Sequence, residues 1–231
     1  MVQVQTERLT RAELARAAAE LASRDGDFAR VLERYGTPPL WDREPGFGTL
    51  VHIILEQQVS LASAAAAMDR LVQTIGPPEP APFLSLDDAE LLRIGFSRQK
   101  RTYARDLAAR LSDGRLDLEP LPALTDSEVR ERLMEVKGIG RWTADVYLLM
   151  VLLRADVWPV GDRALIVAAK ELKGLAEDPD PSVFEELGDR WRPLRAVAAR
   201  LLWHFYLNEV RPPGKSLENS AGRASGAGRA T

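Results

Sequence analysis

Cysteine is absent from this 231-residue chain, which removes disulfides, a thiolate nucleophile, cysteine-ligated zinc and a cysteine-held iron–sulfur cluster together. Histidine is nearly absent too. His52 and His204 stand 152 positions apart with no carboxylate motif around either, so a transition-metal enzyme is not expected. No apolar run approaches the roughly 18 to 20 residues of a membrane span. The opening MVQVQTERLTRAELARAAAELA lacks a basic segment followed by an apolar one, the mark of a secretory signal. A cytoplasmic protein with no membrane partner is expected. Any alternating strand pattern of useful length is also missing, which makes the expected fold class all-α. Positive charge is not in excess: the net charge of −3 argues against a protein that coats nucleic acid nonspecifically.

What the chain has is a series of helical patterns punctuated by glycine and proline. Thr10 with Glu13 forms a capping-box pattern ahead of Leu14, Ala17, Ala18 and Leu21, predicting a helix over 11–23. Further helices are expected over 28–35, 47–57, 61–75 (capped by Ser60), 87–94, 100–111, 126–136, 142–153 and 163–172, and a last one through Leu201, Trp203 and Tyr206. GPPEPAP and AEDPDPS read as linkers, because proline is not tolerated in a helix interior. Four regions are expected: an N-terminal lobe over 1–80, a second lobe over 81–175, a C-terminal helix over 176–211 packing back on the first, and a disordered tail over 212–231.

Local charge departs from the average. Between Arg93 and Arg115 seven basic residues (Arg93, Arg98, Lys100, Arg101, Arg105, Arg110, Arg115) face two acidic ones (Asp106, Asp113), either a phosphate-facing patch or a solvated helix face. In LMEVKGIGRWTADVYLLM two helical patterns flank Gly138 and Gly140. A tight turn there exposes backbone N–H groups at the positive end of the second helix, where a phosphate is attracted, with Lys137 and Arg141 alongside. Alone, such a GxG reads as an ordinary turn.

The context adds to it. LMEVKGIGRWTADVYLLM followed by WPVGDRAL, together with ILEQQVS, GFSRQKRTYARDLA and RWRPLRAVAARLLWHF in that order, resembles the helix-hairpin-helix DNA glycosylase superfamily, and within it the 3-methyladenine DNA glycosylase II (alkylation repair) branch. The resemblance implies a two-lobed helical fold without the β domain that precedes it in some members. It implies base excision from double-stranded DNA containing alkylated bases, by a nucleoid-associated monomer. No cofactor is implied, and a structural monovalent cation at the hairpin is left open.

Residue by residue, the resemblance makes Asp162 the catalytic carboxylate, a residue whose position also suits a helix N-cap. Trp142 falls where lyase-active members carry a Schiff-base lysine, which implies a monofunctional enzyme. Trp142 and Trp203 become candidate walls of a base pocket, with Tyr147 a third; Val146, not Tyr147, matches a position that is aromatic in some members. Gln58 matches the residue that props the gap left by a flipped nucleotide, with Gln57 beside it. Lys137, Gly138, Ile139, Gly140, Arg141, Ser97 and Lys100 complete the expected DNA contacts, while Asp145 is expected to be structural. A glycosylase for uracil, hypoxanthine or etheno bases and a noncatalytic damage-binding module are the alternatives.

Overall fold

The computed structural model describes residues 8–211, so the expected disordered tail lies outside the described residues. Twelve α-helices occur among them: α1 (Arg11–Arg24), α2 (Gly26–Tyr35), α3 (Phe47–Glu56), α4 (Leu61–Ile75), α5 (Pro80–Ser85), α6 (Asp88–Ile94), α7 (Arg98–Ser112), α8 (Asp126–Met134), α9 (Arg141–Met150), α10 (Arg163–Lys173), α11 (Pro181–Asp189) and α12 (Arg195–Phe205). A π-helical turn, Tyr206–Val210, follows α12. Among the described residues there is no β-sheet, only an isolated bridge between Arg8 and Arg154, and no helix is long and apolar enough to cross a membrane. The all-α expectation holds.

Local chemistry sets most helix starts. The Thr10–Glu13 capping box forms at α1, and Ser60 and Asp162 accept N-cap hydrogen bonds from Ser63 and Leu165. Two starts differ from expectation. Both proline-rich segments taken as linkers open helices, α5 at Pro80 and α11 at Pro181, the latter capped by Asp180. Proline is excluded from a helix interior but suits the first turn, where its missing N–H would have no partner and its fixed φ is already helical.

Packing does not divide at residue 80. Helices α3 and α4 pack on α6, α7 and α9, while α1 and α2 pack on α12, which also contacts α10 and α11. Helix α12 thus lies on α1 and α2, and α3 and α4 lie with the hairpin side. The reason is visible in α3, whose Leu50, Val51, Ile53, Ile54 and Leu55 are all buried. An apolar stripe that wide is covered by neighbours on several sides, not by one hairpin partner.

Arg200 of α12 is wholly buried and lies at the joint of these elements. Its guanidinium donates to the carbonyls of Leu40 (3.0 Å), Ala196 (3.1 Å) and Leu149 (2.6 Å). Burial lowers its pKa to about 9, against the charge of Asp42, which raises it. One side chain thereby fastens the 37–46 loop and the end of α9 to α12. Replacing it with an apolar residue of similar length leaves buried carbonyls without donors, at roughly 1–3 kcal/mol each. Arg200→Met is expected to lower unfolding free energy by about 3 kcal/mol or more, read as a reduced urea midpoint with an unchanged slope.

Candidate active site

Two helices meeting at a glycine hairpin and a third helix beginning beyond it bring the expected residues together. Asp162 terminates the irregular segment after α9 and is the N-cap of α10, as its position in the sequence suits. Its Oδ1 accepts from the Leu165 backbone N–H (2.9 Å) and from the Trp203 indole N–H (3.2 Å), and its Oδ2 accepts from the Trp142 indole N–H (2.9 Å). The residue is only 8% exposed. Three fixed donors hold the orientation of its carboxylate. An anion so held, with one oxygen taking a single bond, can face developing positive charge or a water molecule.

Each of the two tryptophans points its indole N–H at the carboxylate. Trp142 is half-buried, and Trp203, 9% exposed, is nearly covered. Tyr147 is a correction. It is fully buried on α9, with its hydroxyl pushed up to about 12 by burial, so it presents no ring face to an incoming base. The apolar spacing of α9 turns that position into the core.

The hairpin divides its glycines. Gly138 has φ +85°, and a Cβ there would overlap the Tyr103 ring of α7. Gly140 has ordinary extended backbone and open space where a Cβ would stand. Ile139 is buried beneath the turn, and Lys137 is exposed. As N-cap of α9, Gly140 supplies no side-chain acceptor, and helical bonding begins only with Ala144 N–H to Gly140 O. The first-turn N–H groups are thus aimed outward at the positive end of the dipole.

The turn after α3 is tied to this hairpin. The Gln57 side-chain amide donates to Gly138 O and to Thr143 Oγ1, both at 3.0 Å, so Gln57 fastens the hairpin instead of projecting from it. Gln58 is exposed with φ +58°, an uncommon conformation for a residue with a side chain. Val59 and Leu61 beside it are 46% and 58% exposed, two apolar residues that the sequence reading passed over.

The basic stretch on α7 is largely spent internally. Lys100 donates to Leu55 O at the end of α3 (2.6 Å), and burial lowers its pKa, so it is not a free phosphate contact. A helix's last carbonyls lack intrahelical donors, and a lysine ammonium satisfies one of them. Ser97 caps α7. Arg105 bonds Leu86 O and Asp88, Arg110 bonds Asp106, and Arg115 bonds Asp113. Asp106 also accepts the Lys137 backbone N–H (2.8 Å), making α7 the floor of the hairpin. Asp145 is structural, as expected: buried between Arg130 (2.6 Å) and Arg141 (3.6 Å), it has a pKa raised by burial against the pull of both. Arg141 is thus shared between Asp145 and solvent.

The model of the HhH-GPD superfamily of base excision DNA repair proteins matches residues 51–193. The chain belongs to that superfamily. That match runs from within α3 through the hairpin and Asp162 to beyond α11. The chain is 28% identical over 179 residues to a putative DNA-3-methyladenine glycosylase, YfjP, of Bacillus subtilis, covering 74% of this chain and 62% of that protein. A crystal structure of a DNA-3-methyladenine glycosidase from Bacillus halodurans superposes with a TM-score of 0.68 at 31% identity, covering 82% of this chain and 88% of that one. The fold is shared with Schizosaccharomyces pombe 3-methyladenine DNA glycosylase in complex with abasic DNA, with a TM-score of 0.72 at 24% identity over 81% of this chain and 95% of that one.

The two hairpin glycines of this HhH-GPD member differ in what a side chain would cost. Gly138→Ala is expected to cost at least about 2 kcal/mol in chemical denaturation, through the left-handed backbone and the overlap with Tyr103. Gly140→Ala should stay within about 1 kcal/mol of the parent.

Proposed function

We propose that this protein is a monofunctional DNA glycosylase that flips alkylated purines of the 3-methyladenine and 7-methylguanine type out of duplex DNA and hydrolyses their N-glycosidic bonds. The observation that carries the reading is the Asp162 carboxylate held by the Trp142 and Trp203 indoles and the α10 N-terminus. Cleaving the bond builds oxocarbenium character on the deoxyribose, and a fixed carboxylate stabilises that charge and orients or deprotonates the attacking water. An alkylated purine already carries positive charge, so its departure needs no strong acid, and one carboxylate suffices. Trp142 in place of a lysine leaves no amine to attack C1′, so the product is an abasic site with an intact strand.

Backbone N–H groups around Gly140 receive a phosphate, Lys137 adds charge, and the exposed Gln58 turn stands beside the hairpin to prop the duplex where the base has left. The half-buried Trp142 ring supplies a stacking face for an electron-poor base. The protein acts as a monomer in this scheme. The scheme uses only protein groups and water. The hairpin carbonyls of Val136 and Gly138, the donors a monovalent cation would need, accept from Ile139 N–H and Gln57, and each keeps a lone pair for such an ion.

Release of 3-methyladenine from methylated DNA by the purified protein tests the reading. Asp162→Asn is expected to slow release by about 100-fold or more while duplex binding persists, with neither strand nicking nor a borohydride-trapped intermediate in the parent. Equal rates for the two proteins, or no release by the parent, refute it.

A further inference from the structure

One of the three Asp162 donors, Trp203, is itself packed against another ring, and both rings lie outside the matched 51–193 segment. Trp41, in the loop between α2 and α3, packs its ring edge-to-face on Trp203, with centroids 6.2 Å apart and planes at 81°. It also borders His204, the next residue of α12, at 6.4 Å. Trp41 sits at φ +50°, which a bulky residue adopts only where its surroundings impose it. The imposing group is at hand: Arg200, one turn before Trp203 on the same helix, bonds the carbonyl of Leu40, the residue immediately before Trp41. Trp41 also lines, with Arg11, Leu14, Ala15 and the rest of 37–42, an open depression of about 570 Å³. The backbone anchor and the contacts with α12 fix this ring.

We infer that Trp41 is a positioning residue for the reaction: anchored through Leu40 to Arg200, it fixes the plane of Trp203, and through the Trp203 indole N–H it fixes the Asp162 carboxylate. An indole N–H lies in its ring plane, so tilting the Trp203 ring moves its hydrogen off the 3.2 Å line to Oδ1. That bond is the longest of the three on Asp162 and the first to be lost by a small rotation. An aromatic partner at 41 opposes the rotation through the quadrupole preference for edge-to-face contact, which an aliphatic side chain lacks.

The inference rests on the glycosylase reading, and two measurements separate them. In protein labelled with ¹⁵N at tryptophan, the Trp203 indole signal is assigned by its loss in Trp203→Phe. Trp41→Leu is expected to shift that signal towards the unbonded position and speed its proton exchange at least about fivefold, with the Trp158 and Trp191 signals unmoved. Trp41→Phe should leave it as in the parent. An unmoved Trp203 signal in Trp41→Leu overturns the inference whether or not the protein excises any base. In single-turnover release from methylated duplex, Trp41→Leu is expected to be roughly 5- to 50-fold slower, with affinity for abasic-site DNA within about twofold of the parent and Trp41→Phe restoring the rate to within about threefold. A parent that releases no base counts against the glycosylase reading alone. A Trp203 shift with an unchanged rate, or a rate loss matched by lost DNA affinity, overturns the positioning role.

Discussion

A carboxylate that is 8% exposed needs donors to replace the water it has lost, and the donors of Asp162 come from three separate places in the chain. Trp142 opens α9, Leu165 lies in the first turn of α10, and Trp203 stands near the end of α12. Hydrogen bonds weaken steeply with angle and distance, so those helices must hold their mutual register to a few tenths of an ångström. The remainder of the structure can be understood as the means of holding it. Helix α12 is buried along nearly its whole length, and α9 is buried from Thr143 to Leu149, so neither can rotate about its axis without exposing apolar surface.

Apolar packing alone leaves helix ends unfastened, because their last carbonyls and first N–H groups lack partners. This protein fastens them with long polar side chains. Lys100 takes a carbonyl at the end of α3, Gln57 takes the Gly138 carbonyl, and Arg200 takes those of Leu40 and Leu149. Arg195 binds the Asp156 carboxylate and carbonyl in the segment leading to Asp162. Much of the basic charge is therefore consumed inside the molecule. That reconciles a net charge of −3 with a DNA-directed site: the hairpin offers backbone N–H groups and a helix dipole, which attract a phosphate without counting in the charge of the chain.

What the sequence disclosed follows from the range over which each signal acts. Capping by Thr10, Ser60 and Asp162 is decided within four residues and is legible. Gly138 and Gly140 mark a turn, but only the structure separates them, since the pressure on Gly138 comes from Tyr103, 35 positions earlier. Pro80 and Pro181 are local signals whose sign depends on position: proline breaks a helix from within and starts one at its first turn. Lys100 and Tyr147 illustrate the harder limit. Their residue types fit a DNA contact and a pocket wall, yet a helix end in one case and the core in the other claimed them. Trp41 shows the converse, a ring in a loop with no motif around it that becomes visible only against Trp203.

The same indole geometry links holding the carboxylate to holding the base. The N–H of Trp142 lies in its ring plane and is spent on Asp162 Oδ2 at 2.9 Å, so the carboxylate stands at the edge of that ring and its faces remain clear of it. In the proposed reaction a flipped purine stacks on such a face at about 3.5 Å, the ordinary contact distance between rings. A tryptophan at 142 therefore relates the stacking plane and the anion by its own covalent shape, which a phenylalanine, lacking the N–H, does not do. The two donor indoles bond different oxygens of Asp162, and in the proposed reaction the base that finds the ring face has its glycosidic bond brought near the charge that stabilises its cleavage.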